Sequence, residues 1–284
     1  PQKTRVADGV TFHAICRRHP MYSGDKRSIA ESLLFVLACF KLLFVKFDVL
    51  DVDHMPFLPI ISSWAVCTLR GRRFYGTWHE ALSAQEWKNY MGTSGLIAAF
   101  IERISIKLPH AITVASEHTR EQLGSIHGRV ERVGLVASGI DTNLINSIEP
   151  ADVDCDVLCV TRFAKDKGVD VLINAIGKVS ESKPNIKCII VGQGVEKPNL
   201  ENLVDELGLQ DNIQFISPVP ETAEVYSYMK AAKVFCSAAV RENFGIESLE
   251  ALGCGTPVVT TNCAANAARH LIQNGLNGSV VDQK

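Results

Sequence analysis

The sequence carries almost no net charge. Its 29 Lys and Arg stand against 31 Asp and Glu over 284 residues, whereas nucleic-acid binders show a basic footprint. It has no Cys-x-x-Cys pair. The nine cysteines are scattered and odd in number, and most lie inside apolar runs such as IKCIIV and VFCSA. That argues against a disulfide framework or a zinc site and favours buried, reduced thiols in the cytosol. No secretory signal pattern is visible and no Walker A run occurs. Gly192-Gln193-Gly194 is not followed by a third glycine, position 197 being Lys, which disfavours a dinucleotide-binding oxidoreductase. Nor does any uncharged apolar run reach the roughly 18 residues of a membrane span. The nearest candidate, residues 29–47, is interrupted by Glu31, Lys41 and Lys46. It reads as a well-buried helix in preference to a spanning one; a helix lying at a membrane surface, beside Arg17, Arg18, Lys26 and Arg27, is the third reading.

What is present is ample core material: 46% hydrophobic and 21% charged residues, in a length that suits about two domains. The charge is unevenly spread. Residues 1–148 hold 17 Lys and Arg against 13 Asp and Glu, and residues 149–284 hold 12 against 18. A basic half suits an anionic partner or lipid surface, although ordinary compositional drift gives differences of this size too.

Strand and helix patterns alternate along both halves. Strands are expected at 10–15, 48–52, 73–78, 111–115 and 133–136, with helices at 28–47, 60–69, 96–108 and 117–125, the last N-capped by Ser116. A looser stretch, 138–154, reads as a linker. Strands then follow at 156–161, 186–191, 213–216, 234–237, 257–261 and 278–281. The helices between them are 169–180, 199–207, 223–231, 244–252 and 264–273. Apolar strands alternating with helices imply parallel sheets covered on both faces, hence two doubly wound α/β domains. Ligands in such folds bind beyond the carboxyl ends of the strands, and a cleft between two such domains is the natural site.

The chemistry concentrates in residues 241–259, RENFGIESLEALGCGTPVV. Glu242 falls in a loop after a strand, and Glu250 lies eight residues on, inside the next helix. Phe244, Gly245 and Ile246 are expected to form that helix's first turn, whose free N–H groups and positive dipole end suit a phosphate. Glu250 could accept both hydrogens of a ribose diol. On spacing alone, an amphipathic helix with two solvated glutamates fits better.

The stretch resembles the E-x7-E motif of retaining glycosyltransferases of family 4, which have the GT-B fold. Other segments resemble the same family in order and spacing: VTRFAKDKGVD at 160–170, IIVGQG at 189–194, VASGID at 136–141, FYGTWHE at 74–80 and LPHAITVASEHTREQL at 108–123. The resemblance implies two Rossmann-like domains facing a cleft, 1–147 on the acceptor side and 148–284 binding the nucleotide sugar. It implies transfer of a sugar, with retention, from a UDP- or GDP-sugar to a glycan or lipid-linked acceptor. No metal or other cofactor is required, no nucleic acid is involved, and the location is cytoplasmic, peripheral at the inner membrane face.

Carried over residue by residue, Arg162 and Lys167 would neutralise the donor diphosphate, although Lys167 could also be a solvated loop lysine. Glu242 would bind the transferred sugar. Asn243, Phe244, Gly245 and Ile246 would meet sugar and phosphate, Glu250 the ribose, and Val219 the base. Gly192 and Gly194 fall in the family's glycine turn. His79 resembles a histidine near the donor, against the common alternative of a structural histidine. Asp51-Val52-Asp53 has the spelling of a metal motif but not its place.

The chain departs from the family in four respects. No counterpart of the first strand and its glycine-rich loop precedes Pro1, and no crossing helix follows Lys284, so a fragment lacking a first βαβ unit and a final helix is expected. Asn266-Ala267-Ala268 stands where many members have a glycine pair, and Glu247 where a small or apolar residue is common. A GT-B epimerase would not be expected to combine Glu242 and Glu250 with Arg162 and Lys167. A non-catalytic nucleotide-sugar-binding or scaffold protein of the same fold remains the rival reading.

Overall fold

The computed structural model describes residues 4–16, 22–23, 26–27, 29–55, 57–128, 132–218 and 221–282. The chain divides into two compact units, Pro1–Ala137 and Ser138–Lys284.

The first unit opens with two antiparallel hairpins, β1 (Thr4–Ala7) with β2 (Val10–His13), and β3 (Tyr22–Ser23) with β4 (Lys26–Arg27). The strand expected at 10–15 therefore pairs locally instead of joining a parallel sheet. Asp8 and Gly9, both at positive φ, form the tight turn that closes it, and an Asp-Gly pair is the sequence signal for such a hairpin. Helix α1 (Ile29–Cys39) gives way to a 3-10 turn at Phe40–Phe44, so the helix expected to reach residue 47 ends early. It is also not well buried. Leu33 is 52% and Leu37 67% exposed, and only Ala38 and Cys39 are buried among its described side chains, although the helix packs against α2 (Leu58–Arg70). No helix among the described residues is long and apolar enough to cross a membrane.

Four parallel strands follow, β5 (Val49–Asp53), β6 (Arg73–Trp78), β7 (Ala111–Val114) and β8 (Val133–Leu135), in the order β5-β6-β7-β8. They alternate with α2, α3 (Ala84–Met91), α4 (Gly95–Ser105) and α5 (Glu117–His127). Right-handed crossovers that step in one direction place their helices on one face. Burial follows: Phe74, Gly76 and Trp78 are buried, while Arg73, Tyr75 and Thr77 between them are not. The core sets Phe74, Trp78, Ile112 and Val114 against Ile60, Trp87, Ile106 and Leu123. Ser116 caps α5 as expected, accepting from Thr119 N–H. Helix α3 was not anticipated, although its capping box, Ser83 with Glu86, is readable as Ser-x-x-Glu.

The second unit holds α6 (Thr142–Ser147), β9 (Val157–Val160), α7 (Val169–Ser180), β10 (Cys188–Val191), α8 (Lys197–Glu206), β11 (Ile213–Ile216), α9 (Thr222–Ala231), β12 (Val234–Ser237), α10 (Ile246–Gly253), β13 (Val258–Thr261) and β14 (Gly278–Val281). Helix α6 lies in the stretch read as a linker. Asp141 caps it and Ile145 enters the core. The helix expected at 264–273 is a 3-10 turn, Ala267–Leu271, capped by Asn266.

All six strands are parallel, in the order β11-β10-β9-β12-β13-β14. Cys159, Cys188 and Ile190 pack on one face with α7 and α8, and Leu158, Ile189 and Val191 on the other with α9 and α10. Among the described residues no disulfide joins any of the nine cysteines. Five are buried, whereas Cys16 is exposed and Cys236, Cys254 and Cys263 are half-buried.

Candidate active site

The strand order of the second unit reverses at β9: β10 and β11 lie to one side, β12 to β14 to the other. Open α/β sheets bind ligands outside the carboxyl ends of the strands at such a reversal. Here the loops after β9 and β12 meet. Val240 N–H donates to Asp166 O at 2.9 Å. Gly168, at φ 61°, lies so close to Ala238 that an added Cβ would stand 2.3 Å from its carbonyl oxygen. The contact brings Lys167 Nζ to 2.7 Å from Glu242 Oε2, with the two side chains only 10% and 19% exposed. Lys167 also reaches Arg241 O. It is thus a partly buried, paired cation and not a solvated loop lysine. Arg162, from the same loop, is exposed and its side chain pairs with no described residue.

Beyond Glu242 the chain passes Asn243 and Phe244, both half-buried, and turns at Gly245. Gly245 has φ 85° and ψ 53° and is the N-cap of α10. Phe244 and Gly245 therefore precede the helix instead of forming its first turn, because a left-handed residue cannot continue a right-handed helix. Ile246 begins it, and the N–H groups of its first turn lack intrahelical partners. An added Cβ on Gly245 would stand 2.5 Å from Ala268 Cβ. Glu247 bonds its own backbone N–H. Burial, with the Glu242 charge adding, raises its carboxyl above the usual range.

Glu250 accepts from Tyr226 Oη at 2.8 Å. Burial raises the Glu250 carboxyl while this hydrogen bond lowers it. Burial and the same carboxylate push the Tyr226 phenol up. Tyr226 was not anticipated, because it comes from α9 through a contact that no local pattern encodes.

Asn266 was named in advance only as a departure from the family. It is fully buried, and its Nδ2 donates to Thr260 Oγ1 at 3.0 Å and Thr261 Oγ1 at 2.9 Å, while its Oδ1 accepts from Ala268 N–H. The backbone beside it pairs with the Glu242 loop, Glu242 N–H donating to Ala265 O and Ala267 N–H to Glu242 O. Asn266 thus holds the segment that supports Glu242 and backs Gly245.

Gly192 and Gly194 have a packing reason to be glycine. Added Cβ atoms would lie 1.9 Å from Thr161 O and 2.3 Å from Phe163 O. The Gly192 N–H already donates to Ile216 O. Val219 lies outside the described residues.

His79 belongs to the first unit and follows β6. Its Nε2 is 2.9 Å from Asp53 Oδ1, at the end of β5. Its backbone N–H donates to Nδ1 of the fully buried His54. The Asp53 carboxylate raises the His79 imidazole, and the two histidines hold Asp53 well below the usual carboxylate range. Asp51 accepts from Thr77 Oγ1. Among the described residues no group of three or more His, Cys, Asp and Glu is placed to hold a metal ion.

Residues 142–284, half of the chain, match the family model described as glycosyl transferases group 1. The chain belongs to this family. A group 1 relative, D-inositol 3-phosphate glycosyltransferase of Frankia alni, is 30% identical over 169 residues, 53% of this chain and 41% of its own. The chain spans less than half the length of the curated relatives it matches. Among solved structures, sucrose-phosphate synthase from Thermosynechococcus elongatus matches with a TM-score of 0.78 at 19% identity, over 99% of this chain and 73% of that one. Anabaena HepE in complex with UDP and glucose matches with a TM-score of 0.72 at 18% identity, over 87% and 67%. The group 1 chain thus has the α/β, GT-B-like fold, with parallel sheets of four and six strands.

Proposed function

We propose that this chain carries the donor-binding part of a retaining glycosyltransferase. The enzyme moves a sugar from a UDP- or GDP-sugar to a glycan or lipid-linked acceptor. Residues 148–284 bind the donor and residues 1–147 serve the acceptor side. The observation that carries the reading is the Lys167–Glu242 pair at the strand reversal, one short loop before the open N-terminus of α10.

Each residue then has a physical task. The diphosphate leaves with growing negative charge, and fixed cations facing it in a water-poor site lower that barrier. Lys167 is held by Glu242, while Arg162 is unpaired and open to a ligand. The first-turn N–H groups of α10 add donors and a positive dipole end. Glu242 accepts from hydroxyls of the transferred sugar and stabilises positive charge at its anomeric carbon. Glu250, oriented by Tyr226, accepts from the ribose diol. His79, oriented by Asp53, offers its other ring nitrogen to the donor. The acceptor hydroxyl attacks the face the diphosphate leaves, and the departing phosphate takes its proton. The likeness in fold to HepE, whose structure is in complex with UDP and glucose, supports a UDP-sugar donor. Exposed Leu33, Leu37 and Phe44 support a peripheral contact with the cytoplasmic membrane face.

The test is release of nucleoside diphosphate by the full-length protein given UDP- and GDP-sugars and an acceptor extract. Turnover supports the enzyme. Binding without transfer or hydrolysis leaves a nucleotide-sugar-binding protein in its place.

A further inference from the structure

The first unit contains a cavity of about 500 Å³ at the opposite end of its sheet from His79. Three helix-to-strand connections meet there, those leading into β6, β7 and β8. They bring Arg72, Arg73, Lys107, His110 and Arg132 to the lining, with Trp64 of α2 beside them. No carboxylate lines it among the described residues.

Cations after helix C-termini commonly complement the negative dipole end, which accounts for some of this charge. Two of the cations are tied to the protein: Arg72 Nη1 bonds Asp48 Oδ1 at 3.0 Å, and Arg132 Nη2 donates to His110 O. The other two are not. Arg73 and Lys107 are exposed, and neither side chain pairs with a described residue. Arg73 opens β6 and Lys107 lies on the connection into β7, and both line one cavity, so their charges add within it. Trp64, 41% exposed, adds an aromatic wall. Guanidinium groups match phosphate oxygens in pairs, and an ammonium adds a point charge.

We propose that this cavity is a second binding site, which takes a phosphate-bearing ligand. Its walls come only from the first unit, and the length of β6, about 20 Å, lies between Arg73 and His79. The shared chemistry is a phosphomonoester or diphosphate, carried by a soluble metabolite or by a lipid headgroup.

The experiment follows the indole N–H resonance of Trp64, assigned with Trp64→Phe, in the full chain. Inorganic pyrophosphate is titrated against sodium chloride of equal ionic strength. A parallel arm measures co-sedimentation with phosphatidylcholine vesicles with and without phosphatidic acid. Both arms are repeated in the Arg73→Gln, Lys107→Gln double variant, whose UDP affinity is measured as a check on the second unit. A saturable Trp64 shift, weakened at least tenfold in the variant, supports the site with a soluble ligand. Binding to phosphatidic acid vesicles alone, weakened likewise, supports it with a lipid headgroup. No binding in either arm, or binding the variant retains, overturns it. Because UDP affinity reports the second unit, this failure is distinguishable from failure of the donor site.

Discussion

Lys167 Nζ lies 2.7 Å from Glu242 Oε2, bridging residues 75 apart in sequence. The bridge joins the loop after β9 to the loop after β12, where the strand order turns back. Lys167→Met leaves Glu242 as a partly buried carboxylate without its cation and, on the proposed role, removes one neutraliser of the leaving diphosphate. Transfer by the full-length protein should fall about 100- to 1,000-fold. Glu242→Gln should also fall. Residues that act as one unit are non-additive, so the double variant should lose much less than the product of the two losses. Steady-state release of nucleoside diphosphate measures all three, and multiplicative losses would show that the pair does not act together.

If Glu250 holds the ribose, as proposed, nucleotide binding should be acid-sensitive in an unusual range. The Glu250 carboxyl is raised by burial above 4.5, and only the ionised form accepts both ribose hydrogens. UDP affinity should therefore weaken, as pH falls, earlier than an ordinary carboxylate would allow. The Tyr226 hydrogen bond opposes the rise, so Tyr226→Phe should move the midpoint to higher pH. Glu250→Ala should cost about tenfold or more in affinity and abolish the dependence. Calorimetry across pH checks each variant, and unchanged affinity in Glu250→Ala ends the ribose role. The stability effect has the opposite sense. A carboxyl raised in the folded state takes its proton before the unfolded chain does, so folding gains as pH falls through the raised value towards 4.5.

Periodicity was enough for the six strands of the second unit because short, largely apolar runs there alternate with helix patterns. It was also enough to place Glu242 and Glu250 on either side of a helix start. Three kinds of feature escaped it. Helix α3 and the β1–β2 turn had local signatures, Ser83 with Glu86 and Asp8-Gly9, which hydrophobic pattern does not weigh. Tyr226 and Asn266 act through contacts with residues distant in sequence. The exposure of α1 depends on which neighbours it finds, since an apolar helix reads the same buried or bare. The meaning of Lys167 also needed the structure. Sequence left it between ligand and solvated surface, and only the crossing of two loops shows it paired.

The Asp53 carboxylate favours the protonated form of His79. Its hydrogen bond at 2.9 Å is the first cause that raises the imidazole, with burial opposing. Asp53→Asn should lower the His79 titration midpoint, read from the imidazole C–H resonances. The linkage follows in sign. A histidine raised in the folded state stabilises below its unfolded value and loses that contribution as pH rises through the folded value. The Asn variant should therefore show a flatter fall in stability across that window. A midpoint that does not move would mean the carboxylate and imidazole are not paired in solution.

Gly245 sets the entry to α10 through both its backbone and its missing side chain. Its φ of 85° disfavours any L side chain, and an added Cβ would meet Ala268 Cβ at 2.5 Å and its Cα at 3.0 Å. Gly245→Ala should cost about 1–2 kcal/mol for the left-handed backbone and about 1–3 kcal/mol for overpacking. The two costs separate in a second variant. Ala268→Gly removes the closest atom but not the Cα, so the double variant should regain part of the steric loss and none of the backbone loss. Urea unfolding measures the stabilities. UDP affinity measures whether the N–H groups at the start of α10 have moved, and it should fall in Gly245→Ala and partly return with Ala268→Gly. A Gly245→Ala chain as stable as the parent would mean that the turn can adopt another conformation. The position of Ile246 relative to Glu242 would then not be set by Gly245.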